Sequence, residues 1–279
     1  MINAGVHFGH QSKYWNPKMG PYIHSTYKKL HIINLEKSVT HFNSAIKFIE
    51  KITSNNSKIL FVGTKRAARN IIQKYAQSIK MPYVNNRWLG GMLTNFDTVK
   101  KSIQKLDSLN KFIDSTSAEA LTKKESLGIK KQIAKLNKNL FGIKDMEKLP
   151  DAVFIIDTRY EKIAIQEANK LNIPVIAIVD SNNSYEGVEY MIPGNDDSMS
   201  SIELFVSSIC DVISKTKVKF SKPAESANAK SEIKSTKNDT SKTKSIKKKQ
   251  VINVDSKTDT KKSHSKKPTT TTTEKKEEK

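Results

Sequence analysis

Two hydrophobic patterns alternate along the first 214 residues. Short apolar runs rich in β-branched residues predict buried strands at residues 30–35, 58–62, 151–157 and 173–180. Apolar residues at helical spacing follow the first three runs, which predicts an amphipathic helix after each of them. Strands buried on both faces and separated by such helices are typical of a parallel sheet covered by helices on each side. We therefore predict an α/β fold for this part of the chain.

Residues 97–146 interrupt this alternation because they carry no strand pattern. Their apolar residues repeat at the four-and-three spacing of a coiled-coil seam in two stretches, separated by the polar segment DSTSAEA. Thr122 and Glu125 have the spacing of a capping box, which marks the start of a second helix. We predict an inserted antiparallel coiled-coil hairpin, and the alternative is two ordinary helices packed on the core.

The composition of the chain changes near Lys215. Residues 215–279 contain 20 lysines, no arginine, eight acidic residues and a single aromatic residue, Phe220. Such a segment cannot bury enough apolar surface to offset the entropy lost on ordering it. We therefore predict a folded body at residues 1–214, with the hairpin at 97–146, and a disordered basic tail at 215–279.

The charge of the chain indicates the class of its partner. The formal net charge is +21, and the body alone has 29 basic against 20 acidic residues. An excess of cations in both parts favours a polyanion such as nucleic acid, with a membrane surface as the other candidate. No run of 18 or more apolar residues is present, so we predict no membrane-spanning segment. No export signal is visible, which favours a bacterial cytoplasm, with an organelle that has its own genome as the alternative.

The segment VGTKRAARN at residues 62–70 reads as a strand end, a tight turn and the start of a helix. It places Lys65, Arg66 and Arg69 in the first helical turns, where the helix dipole is already positive, with no acidic residue within one turn. Either an external phosphate offsets this charge or the cations form a solvated basic face. The segment lacks both the P-loop and the dinucleotide-binding glycine patterns, so we predict neither a nucleotide cofactor nor a nucleotide-using enzyme.

Two further segments combine basic and aromatic residues. Residues 85–96 contain Arg87 beside Trp88, a guanidinium and a flat ring that suit unpaired RNA bases; the alternative is a buried Trp88 and a solvated Arg87. Residues 9–29 interleave lysines with tyrosines and Trp15, and their Asn-Pro and Gly-Pro pairs predict an irregular arm. The arm either binds RNA or is pinned to the core by its aromatic side chains.

Acidic residues near the predicted strand ends raise the question of a metal site. Asp157 and Asp180 end two strands, and Asp196 and Asp197 follow nearby, so these carboxylates could bind Mg²⁺. We favour no metal site. His7 and His10 have no further zinc ligands in reach by sequence. A single cysteine, Cys210, excludes an internal disulfide and fits the buried face of a helix.

Five segments together resemble one known family. They are AGVHFGHQSKYWNPKM (4–19), FVGTKRAARN (61–70), NNRWLGGMLTNF (85–96), GIKDMEKLPDAVFIID (142–157) and IPVIAIVDSNNSYEGVEYMIPGNDDS (173–198). In this order they are similar to the bacterial and organellar family of the second protein of the small ribosomal subunit, over residues 4 to about 213.

The resemblance implies a flavodoxin-like parallel sheet with an inserted coiled-coil hairpin, and it implies no catalytic activity, cofactor or small-molecule substrate. It also implies a structural constituent of the small ribosomal subunit, located on the solvent side between head and body. Its expected partners are small-subunit rRNA and neighbouring ribosomal proteins, including the large multi-OB-fold mRNA-binding protein that the family helps to anchor. The RNA-binding candidates are His10, Lys13, Trp15, Asn16, Lys18, Lys28, Lys29, Lys65, Arg66, Arg69, Arg87 and Trp88.

Two functions of other classes remain as alternatives. A nucleotide-using α/β enzyme would show saturable binding of a free nucleotide. A nonspecific RNA-coating protein would depend on the tail at residues 215–279 alone.

Overall fold

The computed structural model describes residues 1–55, 57–115 and 122–235, and within them the strands form two separate sheets. The first sheet is antiparallel, with the order β1-β3-β2, and consists of β1 (Phe8–Gln11), β2 (Ile23–Tyr27) and β3 (Leu30–Ile33). The second sheet is parallel, with the order β5-β4-β6-β7-β8, and consists of β4 (Ile59–Val62), β5 (Tyr83–Val84), β6 (Ala152–Ile156), β7 (Val175–Val179) and β8 (Tyr190–Pro193). The chain divides into two units, Met1–Ser231 and Glu232–Lys279, and every site discussed below lies in the first.

The parallel sheet has flavodoxin-like connectivity. Numbered within the sheet alone, its strands have the order 2-1-3-4-5, which is the flavodoxin-like doubly wound arrangement. The chain direction across the sheet reverses between β4 and β6, because β5 lies on one side of β4 and the later strands lie on the other. The crevice at the carboxyl ends of β4 and β6 is therefore the topological switch point of the fold.

Helices cover both faces of the parallel sheet. They are α1 (Leu35–Thr53), α2 (Arg69–Ser78), α3 (Phe96–Ser115), α4 (Lys123–Leu140), α5 (Lys162–Lys170) and α6 (Met199–Ser235). Alternate strand residues point to opposite sides, so Phe61 and Phe154 pack in the cluster that contains buried residues of α1, α2 and α6. Leu60 and Val153 pack in the other cluster, with α5 and the inner ends of α3 and α4. This confirms the predicted α/β fold with a parallel sheet between helices.

The first predicted strand does not belong to that sheet. Residues 30–33 form β3 of the antiparallel sheet, and β5 and β8, for which no strand was predicted, complete the parallel one. Residues 9–29 are not an irregular arm either, because they contain β2, most of β1 and two 3-10 helices. A short β-branched run has the same pattern in both kinds of sheet, so its pairing was not visible locally.

The predicted hairpin corresponds to α3 and α4, which contact each other. At its inner end Ile103 and Leu140 belong to the core, and an ion pair of 2.7 Å joins Asp107 to Lys144. The predicted capping box is confirmed. The Thr122 amide donates to the Glu125 carboxylate at 3.1 Å, and the Glu125 amide donates to the Thr122 hydroxyl. Residues 116–121 lie outside the described residues. The base of the pair thus packs on the core, and coiled-coil geometry further out stays a prediction.

Helix α6 passes the boundary predicted at Lys215. Its buried face includes Phe205 and Ile209, with the free thiol of Cys210 buried beside them as expected. The helical backbone continues to Ser235, and the disorder predicted for the tail stays a prediction. The rest of the predicted tail, 236–279, lies outside the described residues. Among the described helices, none is both long and apolar enough to cross a membrane.

The loop between β5 and α3 is built around one carboxylate. Glu167 on α5 is buried and accepts hydrogen bonds from the indole Nε1 of Trp88 at 3.1 Å and from the backbone N–H of Gly91 at 2.7 Å. The amides of Leu93 and Thr94 donate to its second oxygen at 3.0 and 3.2 Å. Burial alone would raise the pKa of this carboxyl, but the donated hydrogen bonds hold it below the ordinary value. Glu167 therefore fixes the course of this loop.

We expect Glu167→Ala to lower the free energy of unfolding by about 3 kcal/mol, because several buried donors lose their acceptor. Since the folded-state pKa of Glu167 is lowered, its contribution is present above the ordinary value of 4.5 and is lost as pH falls through the folded value. The difference between the variant and the original protein should therefore shrink in acid.

Urea denaturation followed by circular dichroism at pH 7 and at pH 4 measures both effects. Glu189→Ala is the matched control, because this glutamate is exposed. Equal stability of the Glu167 and Glu189 variants would contradict the role assigned to the buried carboxylate.

Candidate nucleic-acid interface

Lys65 points into the protein rather than toward a partner. Its ammonium lies 2.6 Å from Asp196, 2.5 Å from Asp197 and 3.3 Å from Asp157, and its side chain is 16% exposed. Asn183 is buried beside them and donates to both Asp157 and Asp196. The anion that balances Lys65 is therefore a set of carboxylates of this protein, and the prediction of an RNA contact at Lys65 is corrected.

The local sequence prediction missed this for a geometric reason. Helix α2 begins at Arg69, so Lys65 and Arg66 lie in the turn before it and not in its first turns. From that turn Lys65 reaches loops at the carboxyl ends of β6 and β8. Even Asp157, the partner nearest in sequence, is 92 residues away, outside any local window.

His10 belongs to the same cluster. Its Nδ1 lies 3.0 Å from Asp180 and its Nε2 lies 3.1 Å from Asp197, while its backbone amide donates to the hydroxyl of Ser181 at 2.8 Å. The hydrogen bond with Asp180 raises the pKa of His10 above its ordinary value. The imidazole thus joins the antiparallel sheet to the parallel one, which gives His10 a structural role, and an RNA contact at His10 stays a prediction.

The structure brings the four predicted carboxylates together at one edge of the sheet. Ligand atoms of His10, Asp180, Asp196 and Asp197 lie within 4.8 Å of one another. His7, considered with His10 for zinc, is not in this group. The carboxylates considered for Mg²⁺ are balanced by the Lys65 ammonium and the His10 imidazole. Buried Asp196 is affected most, since desolvation and the charges of its neighbours raise its pKa to about 8.

Two more candidates hold the chain that follows β1. The carboxamide of Asn16 accepts from the amide of Lys18 at 3.0 Å, and the Asn16 amide donates to the carbonyl of Ser181 at 2.8 Å. The ammonium of Lys18 pairs with Glu186 at the surface. Asn16 is therefore a structural residue, and the charge of Lys18 is partly balanced within the protein.

Trp88 is buried, which is the alternative that we considered for residues 85–96. Its ring packs in the core and its indole nitrogen bonds Glu167, so it is not a platform for an RNA base. Arg87, its neighbour, is exposed. The pattern Arg-Trp alone does not distinguish a buried ring from an exposed one, because the carboxylate that holds the indole lies 79 residues away.

Other candidates lie on the surface. Lys13, Lys28, Lys29, Arg66 and Arg87 are exposed, and none of them forms an ion pair within the described residues. Exposed aromatic rings accompany the lysines: the ammonium of Lys13 stands 4.5 Å above the ring of Tyr14, and that of Lys28 stands 5.3 Å from the ring of Tyr27. Trp15 is 41% exposed and its ring lies 5.4 Å from that of His31.

Lys28 and Lys29 form the two-residue turn of the β2–β3 hairpin. Both have positive φ, 47° and 65°, which is the conformation of a type I′ turn. Asparagine and glycine are the usual residues at these positions because most other residues are strained at positive φ. The hairpin therefore presents two adjacent lysines at its tip at some cost in stability.

A second basic surface surrounds a cavity of about 470 Å³ at the switch point. Its walls come from the loops after β4, β5 and β6 and from the last turns of α4. The lining includes Thr64, Arg69, Arg87, Lys135, Lys138 and Tyr160. Arg69 and Arg87 were predicted, whereas the α4 lysines and Tyr160 were not. A periodic helical pattern identified α4, but nothing local indicated which end of it would meet these loops.

A further cavity of about 460 Å³ lies along α5 and differs in charge. Its lining includes Arg159 and Lys162 but also Glu186, as well as several asparagines. Because both signs of charge are present, this cavity does not indicate a polyanion in the way the first one does.

The titration of the Lys65 cluster makes a prediction about stability. The folded-state pKa of Asp196 is raised from 3.8 to about 8, so between these values the folded protein keeps a proton that the unfolded chain releases. The free energy of unfolding should therefore fall as pH rises from 4 to 8, by at most about 1.4 kcal/mol per pH unit for this group. His10 and Glu161, whose pKa values are also raised, act in the same direction.

Asp196→Asn imitates the protonated carboxyl and should flatten this part of the pH dependence, leaving the share of His10 and Glu161. Urea denaturation at a series of pH values from 4 to 8.5 measures the slope. Asp211→Asn, at an exposed position on α6, is the control and should keep the original slope. An unchanged slope in Asp196→Asn would show that the proton is held elsewhere.

The family model described as Ribosomal protein S2 matches residues 1–216, which is more than half of the chain and includes both basic surfaces. The chain belongs to the ribosomal protein S2 family, whose members have a structural role in the small ribosomal subunit.

Proposed function

We infer that this protein binds the rRNA of the small ribosomal subunit through exposed cations of its folded body. In this role it is a structural constituent without a catalytic reaction, cofactor or small-molecule substrate. The observation that carries the proposal is that exposed lysines and arginines cluster on two surfaces, each with an exposed aromatic ring nearby. Within the part of the chain that the structure describes, these cations have no carboxylate partner. Basic groups beside flat rings suit the phosphates and unpaired bases of RNA.

The first surface comprises the β2–β3 turn with Lys28 and Lys29 and the segment that follows β1 with Lys13 and Trp15. It is held in place by the His10 cluster, so its cations are presented by an ordered element rather than a flexible arm. Fixed cations lose little conformational entropy when they meet phosphates. The second surface is the cavity at the switch point, with exposed Arg66 nearby along the chain.

Other partners are proposed from the family. We expect contacts with neighbouring small-subunit proteins, including the large multi-OB-fold mRNA-binding protein, on the solvent side between head and body of the subunit. The ribosome in question is that of a bacterial cytoplasm, with an organelle as the alternative.

The rival enzymatic function is disfavoured by the geometry at the sheet edge. An α/β enzyme places catalytic groups at the carboxyl ends of its strands. Here Asp157, Asp196 and Asp197 are engaged by Lys65 instead. These carboxylates therefore connect loops of the protein to one another through Lys65.

Replacing the hairpin tip tests the first surface. Lys28→Asn with Lys29→Gly removes two charges while supplying the residues that a type I′ turn prefers, so the fold should be at least as stable. We expect rRNA affinity to fall. If both lysines contact phosphates, the slope of log affinity against log salt should also fall by about 1.5 to 2. Filter binding of small-subunit rRNA at several salt concentrations measures both.

The control for this change is Lys47→Gln with Lys51→Gln, which removes two exposed charges from α1. If the hairpin and α1 variants bind rRNA alike, net charge and not the hairpin determines affinity.

Removing residues 236–279 separates the body from the remaining tail. Because the cations of both surfaces lie in the body, we expect the shortened chain to sediment with the small subunit in gradients of moderate salt. The salt dependence of its binding should be weaker, because the lysines of residues 236–279 no longer displace counterions from the RNA. Loss of the shortened chain from the subunit, with the full chain retained, would instead favour the RNA-coating function of the tail.

A further inference from the structure

The cavity at the switch point has a uniform charge. Arg69, Arg87, Lys135 and Lys138 line it, and the described residues of its lining include no aspartate or glutamate. Four cations around one concave surface repel one another unless an anion joins them. Elsewhere in the molecule the protein supplies that anion, as it does for Lys65, but here the lining supplies none.

The walls of the cavity are held by hydrogen bonds. The Nε of Arg69 donates to the carbonyl of Thr64 at 2.7 Å, which fixes the guanidinium against the strand end. The carboxamide of Asn86 donates to the carbonyl of Lys138 at 2.8 Å, which joins the loop after β5 to the last turn of α4. The cations therefore surround a space that is already shaped.

Tyr160 gives the cavity an aromatic wall. It follows β6 by four residues and is 66% exposed, although tyrosine usually buries much of its ring. An exposed ring beside guanidinium and ammonium groups provides a stacking face next to a phosphate site. The volume of about 470 Å³ lies within the usual range for sites that enclose one small ligand, about 300 to 1,000 Å³.

We propose that this cavity takes one unpaired nucleotide of the bound RNA. The phosphate lies among Arg69, Arg87 and the α4 lysines, and the base stacks on Tyr160. The position agrees with the rule that open α/β sheets bind ligands in the crevice at the switch point. The proposal rests on the proposed rRNA binding and names one site within it.

The same chemistry could come from a free nucleotide, and the chain favours RNA. Free nucleotide sites in such folds surround the phosphates with glycine-rich backbone, whereas the turn after Gly63 continues with Thr64, Lys65 and Arg66. Long cationic side chains bind phosphate less selectively but suit a polyanion, because neighbouring phosphates add their own contacts to cations such as Arg66.

The test uses the full chain and purified small-subunit rRNA. Irradiation at a wavelength absorbed by the bases, followed by mass spectrometry, should give a nucleotide linked to Tyr160. Tyr160→Ala should remove that link and weaken rRNA binding about tenfold, whereas Tyr160→Phe keeps the stacking face and should bind nearly as the original does. Arg87→Ala should weaken binding and lower the salt slope by about one. Ile163→Ala, at an exposed position three residues further, is the control and should change neither.

Each result has one meaning. If the original protein does not bind rRNA, the proposed function itself fails. If rRNA binds and the hairpin variant weakens this binding while Tyr160→Ala and Arg87→Ala do not, the function stands and the cavity proposal is overturned.

The cavity is also tested with the four nucleoside monophosphates, for which we expect no saturation at millimolar concentration. Saturable binding of one of them that Arg87→Ala abolishes, with rRNA affinity unchanged, would overturn the proposal in favour of a free nucleotide.

Discussion

The ion cluster at Lys65 is the interaction on which the arrangement of both basic surfaces depends. A parallel sheet brings all its strand ends to one edge, and here β6, β7 and β8 each deliver carboxylates to that edge. Like charges this close and this buried would separate the loops unless a cation joined them. Lys65 arrives from β4 and His10 from the antiparallel sheet, so the same contacts that neutralise the carboxylates also fix the two sheets against each other.

The cations of the protein therefore fall into two classes that composition cannot separate. Lys65 is buried and pairs with carboxylates, and its positive charge is used inside the fold. Lys28, Lys29 and Arg87 are exposed and have no ion pair within the described residues. Only the second class contributes to the field that a polyanion meets at a distance. The hairpin tip is the clearest member, because its lysines occupy positions where asparagine and glycine would be less strained.

The elements that the sequence predicted well are those whose pattern is complete within one segment. The strands β4, β6 and β7 are nearly continuous apolar runs, and the capping box at Thr122 is a contact over three residues. The errors concern long-range contacts. The pairing of β3 with β1 and β2, the partners of Lys65 and the carboxylate under Trp88 all depend on residues distant in sequence. β5 has only two residues, too few to show a period.

The inserted helices explain why the basic cavity lies where it does. The chain leaves β5 at the edge of the sheet and must pass to the far side of β4 before it enters β6. Helices α3 and α4 occupy that crossing, so the last turn of α4 returns to the sheet beside the switch point. Lys135 and Lys138 are therefore brought to the crevice by topology, and a crevice that such folds use for ligands gains two cations from an insertion. Lysines also suit a helix C-terminus, where they balance the dipole. Arg69 begins α2 and Arg87 lies in the loop after β5, so helix capping explains neither, and their convergence with Tyr160 is the feature on which the proposed site rests.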